Sequence, residues 1–362
     1  MSERTVFSSG NGIPEMFCTL TAMPGSDFTA ECKGLFEQYL KELSGFVPVW
    51  VKLHLSDVTT QAQIARSIFG CFADRLVLVG QPPANGARIA LESWNLSKTA
   101  MNDGGMWHLE NYDLRFYHTP ELSTRGSCDQ MNEELLKVDQ IVAADGGSIE
   151  KNLHRTWIYC RDVDNNYAGL VDARRKYFEK CGMLPDTHYI ASTGIEGQAE
   201  KVDRLVRMDS LLIYRQTPEQ IQYLYALENL SPTHIYGVTF ERATRIIYGD
   251  RSHYYISGTA SIDNAGNILY PGDVRSQTER AIDNIEALLA EGQAVLSDMK
   301  QAIIYLRDAA DAKIVSGVVD RRMGADTGRM IVRAPVCRPG WLVEIEGIAV
   351  NRTGNKQFKD FV

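Results

Sequence analysis

The residues best placed by type and spacing to do chemistry sit in the segment VEIEGIAV, which holds Glu344 and Glu346 two positions apart. On an alternating strand, Val343, Ile345 and Gly347 share one face, and Glu344, Glu346 and Ile348 share the other. The first set suits packing against helices. The second turns two carboxylates toward whatever closes the opposite face. Burial there, with a second carboxylate on the same face, pushes one carboxyl pKa upward. An acid still protonated near neutral pH can deliver a proton to carbon. Cys337 stands seven positions before Glu344, with Arg338–Pro339–Gly340 between them. That triplet predicts a turn, since Pro disfavours a central ladder position and Gly permits tight geometry. The thiol would then end one strand beside Glu344 on the next, across a hairpin. The alternative is a small buried apolar residue, the usual state of a free cysteine.

No other catalytic set emerges. The seven histidines show no ligand spacing, and the seven cysteines, at 18, 32, 71, 128, 160, 181 and 337, contain no CxxC pair. Neither a metal site nor a cofactor is called for, and a disulfide framework does not suit a chain of 362 residues. STGIEG and SGTAS lack the strand–glycine loop–helix context of a nucleotide site. The net charge of −8 comes with no concentrated basic run, so no nucleic-acid partner is expected. Met1 to Gly10 has no apolar run and no segment approaches a membrane span. These features together predict a cytoplasmic protein.

The elements that must hold the acid recur three times along the chain. Long amphipathic helices follow Asp27, Ser127 and Asp273 as cap residues. Their apolar stripes run through Leu35, Tyr39 and Leu43; Met131, Leu135, Val138 and Val142; and Ala281, Ile285 and Leu288 or Leu289. Each helix leads to a β-rich run with an acidic end: VWVKLHLSD at Asp57, HRTWIYCRD at Asp162 and KQAIIYLRD at Asp308. A second helix and closing strands follow each time. The predicted fold class is α+β, with units at 1–100, 105–215 and 236–352 and a linker at 216–235. A sheet with helices on one face must bury the other, so the three units are expected to pack on one another.

The third unit resembles the YjgF/RidA family. The likeness rests on YYISGTASIDNAGNILYPGDVRSQTERAIDNIEALL and GRMIVRAPVCRPGWLVEIEGIAV, and covers roughly 243–351. It implies a chorismate-mutase-like sheet with two helices on one face. It also implies an intrachain pseudo-trimer of three tandem YjgF/RidA-like units, in a protein that is a monomer or weak oligomer. It further implies that Glu344 is the ligand-site glutamate. Arg329, fifteen positions earlier, matches the arginine that binds the substrate carboxylate in the imine deaminases. A guanidinium fork suits that partner, although a surface Glu–Arg pair on adjacent strands, worth little, fits the same spacing. In the first unit the same alignment puts Ala90 at the acid's place and Arg75 fifteen before it. In the second it falls near Asp209 or Ser210. One competent site, not three, is expected.

A narrower resemblance, to the chorismatases, runs over about 107–351 through HRTWIYCRDV, ASTGIEG, QYLYALENLSPTHIYGVTFERATRI and YYISGTASI. The 3-hydroxybenzoate-forming subtype carries a cysteine seven positions before its acid, as Cys337 precedes Glu344. IDNAGN after SGTAS departs from that pattern and is closer to ordinary RidA proteins. The resemblance implies a small-molecule carboxylate substrate, chorismate, split to pyruvate and a hydroxybenzoate or dihydroxycyclohexadiene carboxylate. Two substrate carboxylates would need cationic anchors, for which Arg329 and Arg155 are candidates, with Tyr223 and Tyr225 as hydroxyl donors. Arg155 could instead be a solvent-facing strand residue, and the tyrosines could simply pack a linker. A RidA-type imine deaminase and a non-catalytic binding protein are the alternative functions.

Overall fold

The computed structural model describes residues 2–98, 100–324 and 326–362. Its first unit runs β1 (Ser2–Phe7), β2 (Glu15–Thr21), α1 (Phe28–Glu42), β3 (Phe46–Leu55), α2 (Val58–Ile68), β4 (Leu76–Gly80) and β5 (Ile89–Ser97). The second runs β6 (Met101–Asp103), β7 (Met106–His108), β8 (Asp113–His118), α3 (Ser127–Ala144), a single turn α4 (Ile149–Asn152), β9 (Leu153–Cys160), α5 (Val163–Lys180), β10 (Ala191–Glu196) and β11 (Val206–Tyr214). The third runs β12 (Ile221–Leu224), β13 (Ala243–Ile247), β14 (Ser252–Ala260), α6 (Val274–Glu291), β15 (Met299–Leu306), α7 (Ala312–Met323), β16 (Gly328–Arg333) and β17 (Val343–Asn351). Part of the 216–235 segment read as a linker is therefore β12, the edge strand of the third sheet.

Three mixed sheets result, ordered β1-β2-β5-β3-β4, β10-β9-β11-β8-β7-β6 and β12-β13-β14-β17-β15-β16. In each, the strand ending in the acidic turn pairs in parallel with the strand after the second helix, and the other ladders are antiparallel. Local chemistry sets the helix starts. Asp27 accepts from Ala30 N at 2.9 Å and Asp273 from Ser276 N at 3.1 Å. Ser127 does not cap α3: it is already the first helical residue, and Gly126 takes the cap place at φ 83, a conformation that favours glycine. Asp57 caps α2 and Asp308 caps the short turn that leads into α7. Asp162 instead adopts φ 53 and holds the Asn165 side chain.

The predicted helix stripes are buried against one face of each sheet, apart from half-buried Leu43. The other faces meet at the centre of an intrachain pseudo-trimer. There Trp50 lies 5.1 Å from Phe116, 5.4 Å from Trp157 and 5.2 Å from Trp94. The C-terminal tail binds the units together: Phe361 is fully buried against Trp94, Tyr248 and His253, and Ile13 N donates to Phe361 O at 2.9 Å. Among the described residues, no helix is long and apolar enough to cross a membrane.

Strand register equates the units residue by residue. Counting back three from each acidic turn gives His54, Tyr159 and Tyr305, which pair with Ala90, Arg207 and Glu344. Two residues further on stand Glu92, Asp209 and Glu346. These three carboxylates face the centre with unlike companions. Lys52 Nζ lies 3.2 Å from Glu92 and 3.5 Å from Asp209, while Arg155 lies 2.6 Å from Glu346. The alignment of Asp209 or Ser210 with Glu344 is thus corrected to Arg207, which pairs with Tyr159 as Glu344 pairs with Tyr305.

Candidate active site

Glu344 is held on both sides by the ladder, with Tyr305 of β15 and Ala260 of β14 as its strand partners. Its side chain leaves the sheet through the place of a missing one. A Cβ at Gly258 would clash with Glu344 Oε1 and meet Thr193 Cγ2 at 3.1 Å. Gly258 N instead donates to Thr193 Oγ1 at 2.9 Å, drawing β10 of the second unit onto β14 of the third. Between these units lies a cavity of about 360 Å³, lined among others by Tyr167, Arg174, Thr193, Arg242, Cys337 and Glu344. That is within the ordinary size range of a small-molecule site.

The electrostatics favour a neutral acid. Glu344 is 5% exposed, and its pKa is pushed up to about 8, first by burial and then by the Glu346 charge. Arg155 and Arg242 pull it the other way without prevailing. Arg174 donates to Ser192 Oγ at 3.1 Å and Thr239 Oγ1 at 3.1 Å, and its buried Nη2 has no hydrogen-bond partner. Arg242 donates twice to Ser231 O and lies over the Tyr236 and Phe240 rings. Arg338 lies over Tyr236 and Trp341. Three guanidiniums thus line the same cavity as a carboxyl whose neutral form is favoured, an arrangement able to hold an anion while donating a proton. Cys337 is a neutral thiol, pushed up to about 12 by burial and the Glu344 charge, with Tyr167 as a hydrogen-bond partner.

Two of the sequence candidates, Glu344 and Cys337, meet in the cavity. The predicted turn forms, with Trp341 N donating to Arg338 O at 3.0 Å. The predicted hairpin does not, because β15 lies between β16 and β17. Cys337 is positioned from the second unit, through the bridge between Val336 and Ile195. The same intervening strand keeps Arg329 from Glu344: it pairs with Ala302 and its guanidinium reaches Asp320 at 2.9 Å. In the first unit the position opposite Val51, which corresponds to Ala302, is Leu76, so Arg75 is one residue out of step. Arg155 is buried behind the cavity, bound to Glu346 and to Thr193 Oγ1 at 2.6 Å. Tyr223 stacks on His188 at 4.8 Å, and the backbone N–H of Tyr225 donates to Glu291; neither lines the cavity.

Sequence reasoning missed Arg174, Arg242, Arg338 and Tyr167. Arg174 left a usable signal, since it falls inside the buried stripe of α5 made by Leu170, Ala173, Tyr177 and Phe178. A charged residue on an apolar helix face needs a partner or a ligand. Arg338 lay within the turn that had already been recognised.

Comparison with known proteins agrees with this architecture. The endoribonuclease L-PSP family profile matches residues 245–351. A RutC family protein of Pyrococcus abyssi is 31% identical over 96 residues, 26% of this chain and 76% of that protein. The 3-hydroxybenzoate synthase of Streptomyces hygroscopicus is 23% identical over 221 residues. That alignment spans 55% of this chain and 64% of the synthase, less than two thirds of its length. A chorismatase crystal structure superposes with a TM-score of 0.62 at 22% identity, over 76% of this chain and 86% of that one, which bears on the fold.

Proposed function

The chain belongs to the YjgF/RidA (L-PSP) superfamily, and from that premise we propose that it is a chorismatase-like hydrolase cleaving the enolpyruvyl ether of chorismate. The observation that carries this reading is Glu344, a buried carboxyl whose neutral form is favoured, in a cavity also lined by the guanidiniums of Arg174, Arg242 and Arg338. Chorismate is a dianion with an enol ether, so it needs cationic anchors and a carbon-protonating acid together. Glu344 gives its proton to the terminal methylene carbon, forming a C–H bond and leaving an oxocarbenium ion. The new carboxylate stabilises that cation. Water adds to the cationic carbon and loses a proton, and the C–O bond then breaks to release pyruvate and the ring alcohol. Formation of 3-hydroxybenzoate with pyruvate consumes no net water, and Cys337 stands where it can steer the ring toward that outcome. The imine deaminase alternative calls for Arg329 at the ligand, and Arg329 lies outside the cavity. Incubation with chorismate, followed by detection of pyruvate and of the aromatic or dihydrodiol product, tests the reading. Absence of pyruvate would leave a non-catalytic binding protein.

A further inference from the structure

Glu344 lines the cavity, whereas Glu346, two residues on and on the same strand face, lies behind it. The two carboxyls are bonded differently. Both oxygens of Glu346 accept hydrogen bonds, Oε2 from Arg155 Nη2 at 2.6 Å and Oε1 from the Tyr305 hydroxyl at 2.9 Å. Among the described residues, no hydrogen bond reaches the Glu344 carboxyl. A guanidinium and a phenol on its two oxygens stabilise the anionic form of Glu346, while burial without a donor disfavours the anionic form of Glu344.

The cation that fixes this charge comes from another unit. Glu92 has Lys52 of its own unit at 3.2 Å, and Asp209 has Arg207 of its own at 3.7 Å. On the corresponding face of β15 the third unit offers only Gln301, Ile303 and Tyr305, so its central carboxylate depends on Arg155 of the second unit. By register Arg155 stands where Trp50 and Gln301 stand in the other two units. It is held there from two sides. Its guanidinium lies 4.9 Å over the Trp157 ring, and Nη2 also donates to Thr193 Oγ1 at 2.6 Å. The remaining ionisable neighbours of Glu346 are Tyr159 and, across a small void, Glu92, itself paired with Lys52.

We propose that Glu346 is a positioning residue for the proton of Glu344: Arg155 of the second unit and Tyr305 of β15 fix the negative charge of the pair on Glu346, so that the carboxyl facing the cavity is the one that carries the proton. The proposal rests on Glu344 as the acid of the proposed reaction and adds the device that keeps it loaded. Carboxyls two residues apart on a strand stand about 7 Å from one another. Like charges at that distance, at an effective dielectric of about 20, displace a titration by roughly one to two pH units. The other charged or titratable groups around Glu344 are Tyr167, Arg174, Tyr236, Arg242, Cys337 and Arg338. The test below leaves all six in place.

The test follows the infrared carbonyl stretch of the protonated Glu344 carboxyl, identified in glutamate-labelled protein by its loss in Glu344→Gln, and needs no substrate. In the native protein this band should fade with a midpoint of about pH 8. In Glu346→Gln, which removes the charge and keeps the volume, the midpoint should fall by about one pH unit or more. The double variant Arg155→Met with Glu346→Gln strands no charge and keeps the test open if the single variant fails to fold. Its midpoint should also fall, because the Glu346 charge acts on Glu344 more strongly than the Arg155 charge does. Arg155→Met alone deprives Glu346 of its cation, and a buried carboxylate so stranded takes up a proton. A second band should therefore appear near pH 7 and persist when Glu344→Gln is added. A midpoint unmoved or raised in both Glu346→Gln variants, or no second band in Arg155→Met, would overturn the proposal and leave Glu344 an acid. Absence of the band from the native protein near pH 7 would overturn the acid assignment itself, and the proposal with it.

Discussion

Replacing Glu344 with Gln tests the central claim, a neutral carboxylic acid at physiological pH, without reference to any substrate. In the folded protein this carboxyl titrates at about 8, against an ordinary value of 4.5. Between those values the folded state holds a proton that the unfolded state has released. Stability must therefore fall as pH rises through that window, at about 1.36 kcal/mol per pH unit. Below the window both states are protonated, and above it both are ionised, so the slope vanishes at each end. Gln keeps the volume and carries no proton, so the variant lacks this contribution while all other groups titrate as before. From pH 5.5 to 7.5 the native protein should lose about 2–3 kcal/mol more than the variant, the slope easing as the upper pKa is approached. With an unfolding entropy of about 2.1 cal/mol/K per residue over 362 residues, this corresponds to about 3 °C in Tm. Scanning calorimetry of both proteins at the two pH values measures the double difference. Parallel Tm profiles would show that Glu344 is ionised in the fold, and the general-acid argument would fall with it.

Three further outcomes are expected. Glu344→Gln should reduce pyruvate release from chorismate by roughly 10²–10⁴-fold, the usual worth of a positioned general acid, and a near-native rate would remove Glu344 from the mechanism. Cys337→Ala should keep pyruvate release but shift the organic product from hydroxybenzoate toward the non-aromatic dihydrodiol, as read by chromatography; an unchanged mixture at an unchanged rate would make the thiol a packing residue only. Lys52→Met removes the cation lying between Glu92 and Asp209, and should cost about 3–5 kcal/mol because it strands buried charge. Urea unfolding would read this, and a loss below about 1 kcal/mol would refute the account of the centre.

The repeat was legible because its marks are local: a cap before an amphipathic stripe, and an aspartate where a strand gives way to a helix. Glu344 was legible because strand alternation fixes the face of a side chain. What escaped depends on which element lies beside which. The order β17-β15-β16 separates Arg329 from Glu344, and fifteen positions of spacing carry no hint of an intervening strand. The anchoring arginines come from α5 of the second unit, from the loop before β13 and from the turn after Cys337, which only packing between units assembles. The tail that seats Phe361 at the centre has no period to betray it.

The three central carboxylates show what joining the units in one polypeptide makes possible. A ring of identical subunits must repeat every side chain three times around its axis. The third unit, so repeated, would set Glu346 beside Ile303 at each corner and would have neither Lys52 nor Arg155 nearby. Three like charges would then crowd a dry space with nothing to neutralise them. Fusion lifts that constraint, since lysine, tryptophan and isoleucine occupy corresponding places at 52, 157 and 303.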